Sequence, residues 1–200
     1  MKGRLRLVEV SDPVVLNAME AVPREEFVPG NLQKAAYDDR ALPIACGQSI
    51  SQPAVVAYMT EQLRLTADSR VLEVGTGSGY QAAVLAEIAR EVYTIERIPE
   101  LAQAATARLA RLGYGEVRVR EGDGTQGWPE AAPFDAIIVT AATAIIPPAL
   151  LEQLGANGRM IVPVGGSHEA QVLVRLEKQP SGELARDYLW PVRFVPLIGG

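Results

Sequence analysis

An apolar run that ends in three alternating glycines is the strongest constraint on how this chain folds. The run is Val71-Leu-Glu-Val-Gly-Thr-Gly-Ser-Gly-Tyr80, and a further apolar stretch follows it. This pattern predicts a buried strand, a tight turn and a helix. Glycine permits positive φ angles and lets bare backbone N–H groups approach a ligand. The turn is therefore either a ligand-binding loop or a simple connection between two elements.

A carboxylate follows the next predicted strand. Val92-Tyr-Thr-Ile95 reads as that strand, and Glu96 comes directly after it. In nucleotide-binding sheets an acidic residue at this place, about 20 residues beyond the glycine turn, accepts hydrogen bonds from ribose hydroxyls. The alternative is a surface carboxylate that caps the helix beginning near Pro99. The combination of strand, glycine turn, helix, strand and acid favours the nucleotide-binding reading.

The rest of the chain continues the alternation of strands and helices. The predicted elements are a helix over Tyr80 to Ala89, a helix over Glu100 to Leu112, a strand over Val117 to Val119, a strand over Phe134 to Thr140, a helix over Pro147 to Leu154 that stops at Asn157-Gly158, a strand over Met160 to Val164, and a final hairpin of Gln171 to Lys178 with Tyr188 to Leu197. This order predicts an α/β fold with a doubly wound, mostly parallel sheet and a C-terminal antiparallel hairpin. Ligands of such sheets bind at the carboxyl ends of the strands.

The first 65 residues differ from this pattern. A helix is predicted from Pro13, capped by Ser11 or Asp12 and ended by Pro23, with a buried face made by Val14, Leu16, Met19 and Val22. A long loop over Ala36 to Ile50 leads to a helix with Pro53 in its first turn. On the residues alone, Ser51 is first of all an N-cap of that helix. We predict one domain over residues 1–200, with 1–65 as a helical cover that carries an active-site loop.

Composition and charge exclude several classes of function. The formal net charge is −5 and no cluster of Lys and Arg is present, which disfavours binding to nucleic acid or to anionic membranes. A single cysteine, Cys46, and a single histidine, His168, weaken the case for a metal site or a His-dependent hydrolase. Met1 to Leu7 is charged, without the apolar core of a secretory leader. We expect a cytoplasmic monomer without a metal ion.

The sequence of the glycine turn also narrows the choice of cofactor. It does not complete the Gly-x-Gly-x-x-Gly pattern of dinucleotide sites, because Tyr80 stands where the last glycine is expected. This favours S-adenosylmethionine over a dinucleotide. The alternatives are a methyltransferase for RNA or small metabolites, a binding protein that has kept the fold, and a dinucleotide dehydrogenase.

Beyond the glycine turn, many segments resemble one family of methyltransferases. They are Leu42-Pro-Ile44, Gly47-Gln-Ser-Ile-Ser-Gln-Pro53, Met59-Thr60, Val71 to Ala86, Tyr93-Thr-Ile-Glu-Arg97, Gly122-Asp-Gly124, Gly127-Trp-Pro129, Ala132 to Ala142 and Arg193-Phe-Val-Pro-Leu197. Together they resemble the protein-L-isoaspartate O-methyltransferases over almost the whole chain. The glycine turn is shared by many methyltransferases, whereas the segment Gly47 to Pro53 and the closing Arg193 to Leu197 are specific to this family.

The resemblance implies both an activity and a set of site residues. The activity is methyl transfer from S-adenosylmethionine to the α-carboxylate of L-isoaspartyl residues in damaged proteins and peptides, which begins repair through a succinimide. The residues implied in cofactor binding are Gln48, Ser49, Ile50, Ser51, Glu73, Gly75, Gly77, Gly79, Glu96, Gly122 and Asp123. Ser51 is also the implied catalytic residue. By analogy, Gly122 and Asp123 meet the adenine, although Asp123 alone also suits an Asx turn.

This chemistry suits the residues that are present. A carboxylic acid has a pKa of about 4, so the acceptor is an anionic nucleophile at neutral pH and requires no strong base. The protein must instead align the reacting atoms. We expect Ser51 to donate a hydrogen bond to the acceptor carboxylate, with backbone N–H groups of Leu42 to Ile44 and of Val195 to Leu197 as further donors.

Two departures from the family pattern bear on the site. Ala45-Cys46 stands where relatives often carry glycine and a polar residue. Some relatives have a longer tail over the active site than the residues that follow Leu197 here. This predicts a looser cover over the cofactor, unless another segment supplies it.

Overall fold

The computed structural model describes residues 10–166 and 170–199, so Met1 to Leu7 and His168 lie outside the described residues. Its α-helices are α1 (Pro13–Ala21), α2 (Pro53–Leu63), α3 (Tyr80–Ala86), α4 (Pro99–Arg111) and α5 (Pro148–Gln153). Its strands are β1 (Leu42–Pro43), β2 (Ser49–Ile50), β3 (Arg70–Val74), β4 (Glu91–Glu96), β5 (Arg118–Glu121), β6 (Phe134–Val139), β7 (Leu154–Val164), β8 (Gln171–Lys178) and β9 (Leu184–Val192). Short 3₁₀ helices cover Arg24–Phe27, Gly30–Ala35, Ala45–Gly47, Gly124–Gln126 and Pro129–Ala131.

The central sheet has seven strands in the order β5-β4-β3-β6-β7-β8-β9. The strands from β5 to β7 run parallel, and β8 and β9 add to β7 as antiparallel neighbours. The predicted fold class is therefore confirmed. The chain builds outwards from β3 in one direction and then returns to build outwards from β6 in the other. The boundary between β3 and β6 is the topological switch point, where open α/β sheets bind their ligands.

Alternate residues of the central strands face two separate hydrophobic cores. Val71 on β3 and Ile138 on β6 belong to the core formed with α1, α2 and α3. Their neighbours Leu72 and Ile137 belong to the opposite core, which contains Leu150 of α5. All four strand residues are fully buried. Burial on both faces explains why these strands are continuous apolar runs rather than alternating ones.

The N-terminal helix starts where it was predicted but presents a different face. Asp12 is the N-cap, and its Oδ1 accepts a hydrogen bond from the Val14 backbone N–H at 2.8 Å. The prediction of Val14 on the buried face was wrong, since this side chain is 50% exposed. Met19 and Val22 are buried as predicted, Val15 and Ala18 complete the buried face, and Leu16 is only partly buried. The i, i+3, i+4, i+7 spacing of the four buried residues is the regular pattern of a helix that packs on one side.

Three other boundaries differ from prediction. Helix α3 ends at Ala86 rather than Ala89. Helix α5 ends at Gln153, and β7 begins immediately at Leu154, so Asn157-Gly158 lies within β7 instead of ending the helix. Asn157 has a φ of 61°, and the pairing of β6 with β7 shifts register there, so this part of the strand is irregular. The turn signal was correctly recognised but assigned to the wrong element.

The last strand also ends earlier than predicted. β9 stops at Val192, so the Phe194 to Leu197 segment is not part of the hairpin. The backbone N–H of Ala142 donates to the Val195 carbonyl at 2.8 Å, and the Leu197 N–H donates to the Ala142 carbonyl at 2.7 Å. These two bonds hold the segment across the carboxyl end of β6. No helix among the described residues is long and apolar enough to cross a membrane.

Replacing Gly75 by alanine is expected to destabilise the fold more than the same change at Gly182. Both glycines have positive φ angles, +101° and +88°, so alanine strains either backbone. A Cβ on Gly75 would in addition collide with the side-chain oxygen of Thr140, whereas nothing lies within 4 Å of the Cβ position at Gly182. We expect Gly182→Ala to lower the free energy of unfolding by about 1 kcal/mol and Gly75→Ala by at least about 2 kcal/mol more. Urea unfolding of both variants measures the difference, and equal losses would contradict the steric argument.

Candidate functional site

The glycine turn lies across the carboxyl ends of β3 and β4. Gly75, Gly77 and Gly79 all have positive φ angles, of +101°, +54° and +87°. The Gly75 N–H donates to the Ile95 carbonyl at 2.8 Å, which ties the turn to the end of β4. Gly79 is the N-cap of α3, and a Cβ there would contact Leu109 of α4 at 3.4 Å. The three glycines therefore serve conformation as well as close approach to a ligand.

The strand-end acid Glu96 bonds directly to this turn. Its Oε2 accepts the Gly77 N–H at 2.8 Å, and its Oε1 accepts the Ile98 N–H at 3.0 Å. The side chain is buried, so the alternative of a surface carboxylate was wrong. Each carboxylate oxygen has a further lone pair that can accept a hydrogen bond from a ligand hydroxyl.

A chain of buried polar groups runs beneath the turn. The Thr94 hydroxyl donates to Glu73 Oε2 at 2.6 Å, and a second 2.6 Å contact joins the Thr76 and Thr94 hydroxyls. Either hydroxyl can be the donor in the contact between Thr76 and Thr94. Glu73 is fully buried, and its Oε1 has no hydrogen-bond partner among the described residues. Burial raises the pKa of Glu73 to about 8, so this carboxyl group is mainly protonated at neutral pH.

Two cavities and a groove open at the switch point. The first, which we call the sheet-edge cavity, has a volume of about 190 Å³. It is lined by Gln48, Ser49, Val74, Gly75, Gly77, Ile95, Glu96, Arg97, Ile98, Gly124, Thr140, Ala141 and residues 195–198. It is mainly apolar, with Glu96 as its one carboxylate among these lining residues. This combination suits a planar apolar group attached to a polyhydroxylated one.

A smaller cavity of about 50 Å³, the inner cavity, lies on the other side of the glycine turn. It is lined by Ser49, Ile50, Ser51, Val56, Met59, Glu73, Gly75, Thr76, Gly77, Ser78, Tyr80, Gln81 and Thr140. The outer groove adjoins both cavities and is lined by Ala41, Ser49, Ser51, Gln52, Val55, Thr140 and residues 190–195. Ser49 and Thr140 line all three spaces, which therefore adjoin one another, and we call the three together the cleft.

The structure brings together most of the residues predicted for the site. Gln48, Ser49, Ile50, Ser51, Glu73, Gly75, Gly77 and Glu96 line one or both of the cavities. Gly79, Gly122 and Asp123 do not line any of these spaces. Asp123 Oδ1 accepts the Thr125 N–H at 2.9 Å, as an Asx turn does, and the neighbouring Gly124 reaches the cavity instead. The Gly122 N–H donates to the Glu96 carbonyl at 2.9 Å, which fixes this loop beside β4.

Ser51 is not the cap of α2. The N-cap is Gln52, and the Ala54 N–H in the first turn is bound by Asp39 Oδ1 at 3.0 Å. The prediction of a capping role for Ser51 was therefore wrong, because a carboxylate from a distant loop takes that place. Ser51 is half-buried, and its hydroxyl makes no hydrogen bond with any described residue. That hydroxyl is available to a ligand in the inner cavity or the outer groove.

The backbone of Ser51 is held by a residue that the sequence did not single out. Arg24 is fully buried; its Nη2 donates to the Ser51 carbonyl at 2.6 Å and its Nε to the Ala36 carbonyl at 2.7 Å. Its guanidinium lies 4.7 Å from the centre of the Tyr80 ring, and burial lowers its pKa from the usual value. Arg24 thus joins the Ser51 loop to the start of α3. A single arginine in a mixed segment gives no sequence signal for this role.

Thr140 was also missed. Its hydroxyl lies 2.6 Å from the Gly75 carbonyl and 3.0 Å from the Val74 carbonyl, so it bridges the switch point. The available signal was its position, since it is the first polar residue after the apolar run of β6 and follows directly from the strand end.

Of the predicted backbone donors, one remains unoccupied. Ile44 donates to the Gln48 carbonyl at 2.9 Å and Leu197 to the Ala142 carbonyl at 2.7 Å. The Val195 N–H makes no hydrogen bond with the described residues, and Val195 lines both the sheet-edge cavity and the outer groove. The same segment covers the sheet-edge cavity, where Arg97 donates to the Ile198 carbonyl at 3.0 Å. Cys46 is exposed and lies outside the three spaces, and no metal-binding group of His, Cys, Asp or Glu occurs among the described residues.

The fold and the site together define the class of enzyme to which this chain belongs. A switch-point cavity over a glycine turn, with a buried strand-end carboxylate and with Tyr80 in place of the last glycine of the dinucleotide pattern, is the arrangement of S-adenosylmethionine-dependent methyltransferases. The chain belongs to the protein-L-isoaspartate(D-aspartate) O-methyltransferase family, whose family model matches residues 4–200.

Individual relatives agree with this assignment. The chain is 55% identical to protein-L-isoaspartate O-methyltransferase 1 of Geotalea uraniireducens over 190 residues, which are 95% of this chain and 87% of that protein. It is 56% identical to the protein-L-isoaspartate O-methyltransferase of Gloeobacter violaceus, over 97% of this chain and 94% of that one.

Two solved structures have the same architecture. A solved protein-L-isoaspartate O-methyltransferase superposes with a TM-score of 0.86 at 31% identity, covering 98% of this chain and 64% of that one. A Plasmodium falciparum β-aspartate methyltransferase in complex with S-adenosyl-L-homocysteine gives a TM-score of 0.84 at 25% identity, covering 98% and 97%. The fold is thus shared over nearly the whole of this chain.

The buried Glu73 carboxyl is expected to make stability depend on pH. An unfolded glutamate has a pKa of about 4.3, whereas burial raises the folded value to about 8, so the folded state binds the extra proton between these values. Stability should therefore fall as pH rises through this window. Between about pH 5.5 and about pH 8.5, we expect the free energy of unfolding of the wild-type protein to fall by on the order of a few kcal/mol more than that of Glu73→Gln.

Urea unfolding at several pH values measures this effect. Glu100→Gln, at an exposed position in the first turn of α4, controls for the loss of one carboxylate. Its pH dependence should follow that of the wild-type protein. If Glu73→Gln also followed the wild type across the window, Glu73 would not be the group responsible.

Proposed function

We propose that this chain transfers the methyl group of S-adenosylmethionine to the free α-carboxylate of L-isoaspartyl residues in damaged proteins and peptides. The observation that carries the proposal is the cleft at the switch point, in which a nucleoside-sized cavity shares Ser49 and Thr140 with the two spaces that Ser51 lines. Relatives at 55% and 56% identity are named for this activity. The ester formed then closes to a succinimide, which is the step that leads to repair.

The residues of the cleft fit the parts of this cofactor. Glu96 has lone pairs left for ribose hydroxyls, and the apolar side chains of Ile95, Ile98 and Leu197 offer walls for an adenine ring. Asp123 holds Gly124 against the cavity through its turn rather than by lining it. The inner cavity, with Ser49 to Ser51 and Gly75 to Ser78, is the place for the methionine end. The cofactor supplies an activated methyl group on a sulfonium sulfur.

The protein needs no general base for the transfer. The acceptor carboxylate is ionised at neutral pH, so its oxygen forms the new bond to the methyl carbon while the bond from sulfur to that carbon breaks. No proton moves. Ser51 donates its hydroxyl hydrogen to the acceptor carboxylate and the Val195 N–H is a second donor, so the oxygen is held in line at a reacting distance of about 3 to 3.5 Å. Arg24 keeps Ser51 in place by binding its carbonyl.

Oligomeric state, cellular location and domain organisation complete the proposed function. We infer a monomer that works in the cytoplasm, as one domain in which residues before 65 form the cover and the active-site loop. The single cysteine, Cys46, is exposed and suits a reducing compartment. Light scattering of the purified protein measures the oligomeric state.

Methyl transfer to a defined peptide tests the activity. S-Adenosylmethionine labelled in its methyl group is incubated with a synthetic peptide that carries one L-isoaspartate, and with the same peptide carrying normal aspartate. We expect base-labile label on the isoaspartyl peptide alone, because only there is the α-carboxylate free to reach Ser51. Equal labelling of both peptides, or of a small acceptor instead, would point to another substrate class.

Ser51→Ala is expected to lower kcat/KM for the isoaspartyl peptide, with a smaller effect on cofactor affinity and none on stability. A hydrogen bond to a charged acceptor contributes about 1.5 to 3 kcal/mol, which predicts a kcat/KM lower by about 10- to 100-fold. The melting temperature should stay within about 1 °C, because the hydroxyl bonds no other described residue and does not cap α2. Steady-state kinetics measure the loss of activity, and calorimetric titration with S-adenosylhomocysteine measures cofactor affinity. A variant that turns over at the wild-type rate would remove Ser51 from the mechanism.

A further inference from the structure

The outer groove contains one charged residue among those that line it. Its described lining is Ala41, Ser49, Ser51, Gln52, Val55, Thr140 and residues 190–195, and Arg193 is the only charged one of these. Thr140 is shared with both cavities and Ser51 with the inner cavity, while Val55, Trp190 and Phe194 supply apolar walls. The groove is therefore lined both by a cation and by the Ser51 hydroxyl proposed to bind the acceptor.

Arg193 has no counter-ion among the described residues, and among the exposed arginines that share this property, such as Arg64 and Arg186, it is the one that lines the outer groove. Its side chain is exposed and forms no hydrogen bond or ion pair with a described residue. By contrast, Arg175 on the adjacent strand β8 bonds Asp187 at 2.7 Å, and Arg159 on β7 bonds Glu177 at 2.6 Å. An unpaired guanidinium beside apolar walls keeps its capacity to bind a planar anion such as a carboxylate.

The backbone around Arg193 is fixed. The next residue, Phe194, donates its N–H to Gln171 Oε1 at 2.6 Å and accepts from Gln171 Nε2 at 3.2 Å. Val195 is bound in turn to Ala142 at 2.8 Å. The guanidinium is thus presented from an ordered segment next to the site rather than from a free loop.

The net negative charge of the protein makes a local cation useful for binding an anionic substrate. With a formal net charge of −5, the protein repels an anionic substrate at long range. The positive charge of Arg193, an exposed residue that lines the groove, opposes that repulsion locally. A guanidinium that stayed bound to the acceptor oxygen would weaken it as a nucleophile, so its effect belongs to capture rather than to the transfer step.

We propose that Arg193 is a specificity-determining residue that draws the acceptor carboxylate into the outer groove and towards Ser51. The inference rests on the proposed function, since it takes the isoaspartyl α-carboxylate as the anion. It separates two tasks within one cleft: Arg193 selects an acceptor that carries a free negative charge, and Ser51 aligns the oxygen that reacts.

The test compares Arg193→Gln with Arg193→Lys and with Arg186→Gln. Arg186 is exposed on β9, lines none of the three spaces and carries the same charge, so it is a matched control for the loss of one positive charge. Initial rates are measured against concentration of the L-isoaspartyl peptide at several salt concentrations. Cofactor affinity is measured by titration with S-adenosylhomocysteine.

We expect Arg193→Gln to raise KM for the peptide about tenfold and to leave kcat within about twofold, as loss of a single steering contact does. Its kcat/KM should depend less on salt than that of the wild type. Arg193→Lys should keep most of the wild-type kcat/KM, and Arg186→Gln should match the wild type. Affinity for S-adenosylhomocysteine should be unchanged in all three variants.

Two results would overturn the inference. One is an Arg193→Gln variant whose KM and salt dependence equal those of Arg186→Gln. The other is a fall in kcat or in cofactor affinity with KM unchanged, which would place the residue in the transfer step or in the fold. Failure of the proposed function is seen separately, because the wild-type protein would then transfer no methyl group to the isoaspartyl peptide at all.

Discussion

The contact between the glycine turn and Thr140 is the constraint on which the rest of the site depends. The Thr140 hydroxyl is bonded to the carbonyls of Val74 and Gly75, and it occupies the space that a side chain at Gly75 would need. β3 and β6 are thereby closed together at the point where strand order reverses. Because the turn cannot move towards β6, its backbone is left facing the cavity, with Gly77 bound to Glu96 from the other side. The binding site is thus a consequence of how two neighbouring strands end.

Much of the fold could be predicted because the informative signals are local. The continuous apolar runs of β3, β4 and β6 and the glycine turn place the central sheet and its switch point without tertiary information. The errors occur where distant residues decide. β9 ends early because Ala142 binds the segment after it, and α2 is capped by Asp39 rather than by the serine beside it. In α1, Met19 and Val22 were assigned correctly but Val14 and Leu16 were chosen in place of Val15 and Ala18, because a short helix with apolar residues on several sides does not reveal its buried face.

The residues of the candidate site also fall into those that local sequence signals predict and those that only tertiary contacts determine. Gly75, Gly77 and Glu96 line the sheet-edge cavity because a strand end fixes each of them. Arg24 could not be predicted, and for Thr140 only its position at a strand end could be, since their roles depend on which carbonyl groups the folded chain brings to them. For the loop around Ser51, the residues alone favoured a cap and the family resemblance favoured a catalytic role. The structure removes the cap and leaves the hydroxyl without a partner among the described residues, and the catalytic role stays a prediction.

The electrostatics of the cleft suit a reaction between opposite charges. The proposed transfer joins a cationic sulfonium and an anionic carboxylate and leaves two neutral products, so charge disappears as the transition state forms. Water stabilises the charged reactants more than the products, and a largely apolar cleft removes that advantage. Carboxylates near the reacting methyl group would compete with the acceptor. Burial keeps Glu73 mainly protonated, and two backbone N–H groups already bind Glu96. Both acid groups of the site are thus neutralised by burial or bonded to the protein itself, so in the proposed reaction the acceptor is the carboxylate left to meet the sulfonium.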